Sequence, residues 1–211
     1  MKRFTYSIFV LIISIFNTNA QNSTDAEKVI NNLVSSLNSG AIKTNFTLSM
    51  SEKNGVNSQS GSGTFILKGK KFALEMDETK AWFDGKTQWT FVKQNNEVSV
   101  TEPSEEELAT VNPIAIIEGY KTKSYVRFSK TKSSANYIVE MKPKFKNDDF
   151  VNIEIQVAKS TGNLNSIKMT DKKGHIIHLS LKNYQKGLKV TNETFVFNKA
   201  KLPGVMVNDL R

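Results

Sequence analysis

Apolar residues recur at helical spacing near the start of the chain, where Ala26, Val29, Ile30, Leu33, Val34 and Leu37 stand three and four apart. That spacing predicts an amphipathic helix over 25–37. Thr24-Asp25-Ala26-Glu27 offers a capping box at its start, and Ser39-Gly40 stops it. The period then changes to two. Phe46, Leu48 and Met50 alternate with Thr47, Ser49 and Ser51; Phe65 and Leu67 with Thr64, Ile66 and Lys68; Phe72, Leu74 and Met76 with Lys71, Ala73 and Glu75. Each run predicts a strand with one apolar and one mostly polar face. Trp82-Phe83 and Trp89-Thr90-Phe91 flank Asp84-Gly85-Lys86-Thr87 and predict a tight hairpin turning at Asp-Gly. Between 102 and 119 the alternation stops. Pro103-Ser104-Glu105 starts one short helix and Asn112-Pro113 a second, over 114–120. Strands are expected again at 125–128, 137–141, 151–157, 164–170, 176–181 and 194–197.

Short, even turns between the strands argue for an antiparallel meander rather than βαβ units. A twisted sheet of many strands curls, and its apolar face must then meet a second sheet, a helix or a ligand. The available helices are the first one and the short pair around Pro113. No internal repeat or linker divides the chain, so residues 21–211 are expected to form one domain.

The first twenty residues change the picture of where this domain works. Lys2 and Arg3 precede an apolar run over 7–16 and then Thr18-Asn19-Ala20, the three parts of a secretory signal, with cleavage expected after Ala20. A membrane anchor is the alternative, but the run falls short of the roughly 20 residues that span a bilayer. The sequence has no cysteine, which excludes disulfides, thiolate metal sites, a cysteine nucleophile and the lipidated cysteine of a lipoprotein. The exported product is therefore expected to be soluble in the periplasm. Loss of Lys2 and Arg3 lowers the net charge from +9 by two. The lysines are spread along the chain without a basic arm or a nucleic-acid signature. A nucleic-acid partner is not expected; the basic surface is read as solvated strand faces and turns, with steering of an acidic protein partner or anionic lipid headgroups as the lesser alternative.

Three features together resemble the LolA family of periplasmic lipoprotein carriers: the Asp-Gly-Lys-Thr-x-Trp hairpin at 84–89, the segment led by Asn112-Pro113, and the ending Gly204-Val205-Met206-Val207-Asn208-Asp209-Leu210-Arg211. The likeness runs from about Asp25 to Arg211. It implies a mainly β (α+β) fold: an open antiparallel half-barrel of many strands, with an N-terminal helix and a short helical lid over an apolar cavity. The cavity would take the acyl chains of lipoproteins. Its expected lining is Phe46, Leu48, Met50, Phe65, Leu67, Phe72, Leu74, Met76, Trp89 and Phe91 from the sheet, with Leu33, Ile114 and Ile117 from the lid side. The alternative for these residues is a dry packed core. The resemblance further implies acylated lipoproteins as cargo, an inner-membrane release complex and an outer-membrane acceptor as partners, a monomeric state and no cofactor. Family members commonly carry an arginine that holds the lid shut. Here Gly69 stands near its place, with Lys68, Lys70 and Lys71 as substitutes.

Other groupings carry less chemistry. His175 and His178 are three apart, which on a strand puts them on opposite faces, so a shared metal is not expected. Glu105-Glu106-Glu107 fits the first turn of a helix through its dipole, and Asp148-Asp149 lies in a polar, lysine-rich turn. No serine stands in Gly-x-Ser-x-Gly, and no catalytic site is argued. The functions in contention are a lipoprotein carrier, an envelope sensor or lipid-binding module of the same fold, and, lower, a hydrolase.

Overall fold

Two antiparallel meanders meet side by side in one open twelve-stranded sheet. The structure is a computed structural model that describes residues 17–53, 55, 58–108 and 112–211. The first meander comprises β1 (Ile42–Ser51), β2 (Gln59–Lys68), β3 (Lys71–Met76), β4 (Thr79–Phe83), β5 (Gln88–Val92) and β6 (Glu97–Thr101). The second comprises β7 (Ser124–Phe128), β8 (Asn136–Pro143), β9 (Phe150–Ala158), β10 (Leu164–Asp171) and β11 (Ile176–Lys186). They join where β1 pairs with β11, setting Phe46 opposite Leu181 and Leu48 opposite Leu179. A last strand, β12 (Met206–Asp209), lies parallel to β6 at one edge, so the sheet is not wholly antiparallel.

Among the described residues three α-helices accompany the sheet: α1 (Asn17–Asn38), α2 (Glu105–Leu108) and α3 (Pro113–Lys121). α1 is already helical at Asn17, so Thr24 sits inside the helix rather than capping it. The expected leader lies largely outside the described residues. The same Ser/Thr-x-x-Glu pattern does form a capping box at α2. There the Ser104 amide donates to Glu107 Oε2 (2.7 Å) and the Glu107 amide to Ser104 Oγ (3.2 Å). These bonds hold the Glu107 carboxyl below its ordinary range, the backbone bond contributing most. α1 lies along β7, the sheet's other edge, and satisfies two of its free backbone groups. Ser23 Oγ donates to the Val126 carbonyl (2.8 Å), and the Phe128 amide donates to Asn22 Oδ1 (3.0 Å).

Two expected features differ. The stretch 194–197 is no strand: Asn192–Phe195 forms a 3-10 turn that buries Phe195. The Asp-Gly hairpin turns one residue later than expected. The Asp84 amide donates to the Thr87 carbonyl (3.2 Å), and Asp84 Oδ1 accepts from the amides of Lys86 and Thr87. Gly85, at φ 107°, and Lys86 are therefore the central pair, and the aspartate braces them as an Asx acceptor.

Apolar residues gather on both faces. On the concave face α1 and α3 pack with β1–β4 and β7–β11 in one large core containing Leu33, Ile42, Phe72, Ile114, Ile117 and Ile155. On the convex face of β4–β6 a smaller cluster joins Trp82, Trp89, Phe91, Val98 and Val100 to Phe197, Leu202 and Val205 of the C-terminal segment. Among the described residues no helix is long and apolar enough to cross a membrane.

Candidate ligand cavity

The concave face is not filled everywhere. Between the sheet and α3 lies a cavity of about 220 Å³, lined by Phe46, Leu48, Phe65, Phe72, Leu74 and Met76 of the first meander, Met169 and Leu179 of the second, and Ile116 of the lid. Its remaining lining, Thr79, Ala81, Gln88 and Thr90, comes from β4 and β5. Strand pairing explains this polar side. Phe72 pairs with Phe83, so Phe83 faces inward, and Trp82 with its partner Trp89 must face outward. On β5 and β6 the concave positions therefore fall to Gln88, Thr90, Ser99 and Thr101, with Gln88 Nε2 donating to Thr90 Oγ1 (3.2 Å). The cavity is apolar within and polar at this rim.

Six of the thirteen expected lining residues line it: Phe46, Leu48, Phe65, Phe72, Leu74 and Met76. Leu33, Leu67, Ile114 and Ile117 are buried in the core around it without lining it. Trp89 and Phe91 belong to the convex cluster instead, where the C-terminal segment covers them. Met50, at the far end of β1, is 48% exposed. The sequence reading missed Ile116, Met169 and Leu179. Leu179 comes to the cavity by pairing directly with Leu48 across the β1–β11 junction.

The lid is secured from its first residue. Asn112 Oδ1 caps α3 by accepting from the amides of Ile114 (2.9 Å) and Ala115 (3.4 Å), and Pro113 takes the first helical position. The other end of the same side chain reaches the sheet: Asn112 Nδ2 donates to the Lys70 carbonyl (3.2 Å), and Asn112 is only 2% exposed. Gly69-Lys70 is the two-residue turn between the paired residues Lys68 and Lys71, with Gly69 at φ 58°. An arginine at 69 would carry the strain of a left-handed backbone. The latch found here is an amide bonded to a main-chain oxygen. Among the described residues, Lys70 Nζ makes an exposed contact with Glu105 at 3.7 Å, and Lys71 Nζ donates to Asn192 Oδ1 (3.0 Å) in the C-terminal 3-10 turn.

The histidines stand apart. His175 Nδ1 lies 2.7 Å from Asp171 Oδ2 in the β10–β11 turn, and His178 Nε2 lies 3.5 Å from Ser180 Oγ on β11.

The sequence profile of the family described as "Outer membrane lipoprotein carrier protein LolA" matches residues 16–175. No curated protein sequence matches the chain. Among solved structures, an uncharacterized conserved protein from Thermus thermophilus is similar at TM-score 0.57 and 9% identity, covering 87% of this chain and 99% of that one. A DUF1329 family protein from Desulfovibrio piger is similar at TM-score 0.51 and 11% identity, covering 86% and 99%. A LolA superfamily protein from Nitrosomonas europaea is similar at 0.46 and 9%, covering 82% and 97%. These likenesses are of fold.

Proposed function

The chain belongs to the LolA family of outer membrane lipoprotein carriers, and on that premise we propose that it is a periplasmic carrier that shields lipoprotein acyl chains in the cavity under α3. The leader would direct export and be removed after Ala20. A release complex at the inner membrane would load it and an outer-membrane acceptor would unload it. The observation that carries this reading is an apolar cavity with a polar rim, roofed by a nine-residue helix. An amphiphile needs both surfaces, whereas a dry core needs neither a rim nor a void.

The cavity of about 220 Å³ is smaller than the roughly 300–1,000 Å³ of pockets that enclose drug-sized ligands. Acyl chains therefore enter by displacing Ile116 and its helix. α3 lends itself to that, because so short a helix is marginal without tertiary burial.

Mass spectrometry of organic extracts from the purified protein tests the cavity, and depletion in the parent cell tests transport. Co-purified acyl species, together with lipoprotein stranded at the inner membrane on depletion, are the expected results. Acyl species without stranding would favour a sensor or lipid-binding module. A protein that neither co-purifies with acyl species nor takes up added lipoprotein overturns the reading.

A further inference from the structure

Charge is segregated along this chain in a way that its overall lysine scatter conceals. Between Lys93 and Lys121 stand six glutamates and no lysine or arginine; from Lys121 to Asn147 stand eight cations and one carboxylate, Glu140. That carboxylate is taken up by Arg127 at 3.0 Å. The acidic part carries β6, α2 and most of the lid helix α3. The basic part begins at the lid's last residue.

Two turns of the basic part are tied into one corner. The Lys144 amide donates to the Lys123 carbonyl (2.9 Å), Lys144 Nζ donates to the Thr122 carbonyl (3.3 Å), and the same ammonium lies 5.5 Å from the centre of the Tyr125 ring. Beside it runs Lys142-Pro143-Lys144-Phe145-Lys146. Tyr125 and Phe145 are each 66% exposed, which is high for aromatic side chains. A cleft between this corner and α1 is lined by Lys121, Thr122, Ser124 and Lys144, with Glu27 on its α1 wall. The Ser124 hydroxyl is buried and has no hydrogen-bond partner among the described residues. Two acids close the same β8–β9 turn, Asp148, with one carboxylate oxygen turned out of solvent, and the exposed Asp149, against Lys142, Lys144 and Lys146 before them.

We propose that this corner, the α3–β7 and β8–β9 turns together, docks the protein on an anionic phospholipid surface. Aromatic rings settle at the headgroup level of a bilayer, and each lysine near an anionic surface strengthens partitioning about five-fold. A protein partner fits less well, since lysine is depleted from the centres of protein interfaces. Like charge keeps this acidic part off the same surface. α3 then bridges the two regions, its C-terminal end at the membrane and Ile116, near its middle, at the cavity. This inference does not rest on the identity of the cargo.

The test is sedimentation of the exported protein with vesicles of phosphatidylcholine alone or mixed with phosphatidylglycerol. Binding is expected only to the mixed vesicles and should weaken with salt. Replacing Lys142, Lys144 and Lys146 together by glutamine should weaken it by about 100-fold, the product of three such factors. A Phe145→Trp variant should show a blue-shifted difference emission against wild type on the mixed vesicles only. All four side chains are outside the core, so unchanged circular dichroism and melting are expected. Leu48→Glu, placed in the cavity instead, separates surface docking from lipid uptake and should still sediment. Equal binding to both vesicle types, no binding to either, an unaffected triple variant, or loss of binding in a folded Leu48→Glu protein overturns the proposal.

Discussion

Replacing Asn112 should open the lid more than replacing any lysine near it. The side chain performs two tasks at once, accepting from two α3 amides and donating to the Lys70 carbonyl. Loss of an N-cap of this kind costs about 1 kcal/mol, and loss of a neutral hydrogen bond costs about 1 kcal/mol more. Asn112→Ala should therefore favour lid opening by about 2 kcal/mol, which is roughly 30-fold faster hydrogen exchange over α3 when exchange proceeds through opening. Asn112→Asp separates the tasks. Aspartate caps a helix as well as asparagine does, but it cannot donate to Lys70 and sets a buried carboxylate against that carbonyl, so the latch is lost and exchange should rise at least roughly five-fold. Lys70→Ala keeps the carbonyl and removes only an exposed contact, so it should change exchange little. Native-state exchange read by mass spectrometry over 113–121, with β9 and β10 as internal controls, makes the comparison. If Asn112→Asp exchanges like wild type, or if Lys70→Ala opens α3 as far as Asn112→Ala does, the main-chain latch is wrong.

Leu48→Glu should abolish acyl capture, because it sets a charge against the apolar lining. Trp89→Ala, on the convex face, should spare capture while lowering the melting temperature; a tritiated or fluorescent acyl probe and a thermal melt distinguish the two. Gly63→Ala should be strongly destabilising in urea titrations, because a Cβ there meets the Glu75 carbonyl on the neighbouring strand and the Phe46 ring. Asp209 should titrate at about 2, held there first by the hydrogen bond from the Arg211 side chain and then by its amide. Because the folded value is depressed, the stabilisation from this contact is complete above the ordinary aspartate range and fades as pH falls toward 2. A carbon-detected NMR titration in which Arg211→Ala leaves Asp209 still titrating at about 2 would disprove the assignment.

The sheet was legible in the sequence because alternation is local, and ten of the twelve observed strands overlap runs of it or the Trp82–Trp89 hairpin, β6 and β12 being the two that were not expected. Which face a strand turns inward is not local. Trp89 and Phe91 alternate as well as Phe72 and Leu74 do, yet they face outward, because side chains change face at every residue. The two-residue turn Asp77-Glu78 carries the information: with Phe72 inward it sets Phe83 inward, hence Trp82 and Trp89 outward. Met169 and Leu179 were hidden for another reason. They reach the cavity through the β1–β11 pairing, between strands separated by most of the chain, and a window on the sequence sees neither partner. At α1 and α2 the same capping pattern appears twice. It caps only where the preceding residues, Glu102-Pro103, keep the chain from being helical.

On the proposed carrier reading, the lid and an acyl chain are matched in the strength with which they would claim the cavity. A chain of about sixteen carbons gains about 0.8 kcal/mol per methylene, on the order of 10 kcal/mol when fully buried. Opening α3 exposes Ile114, Ile116 and Ile117, each worth about 1.5–3 kcal/mol, and breaks the Asn112 latch at about 1 kcal/mol more. Closing therefore returns on the order of 5–10 kcal/mol, close to what the chain gains by entering. A roof much weaker than this would leave the cargo bound too tightly to hand on, and one much stronger would never admit it. The polar face of β5 and β6 has a part in that balance: Gln88 and Thr90 keep the rim from adding to the hold on the acyl chain, so that the lid alone sets the difference.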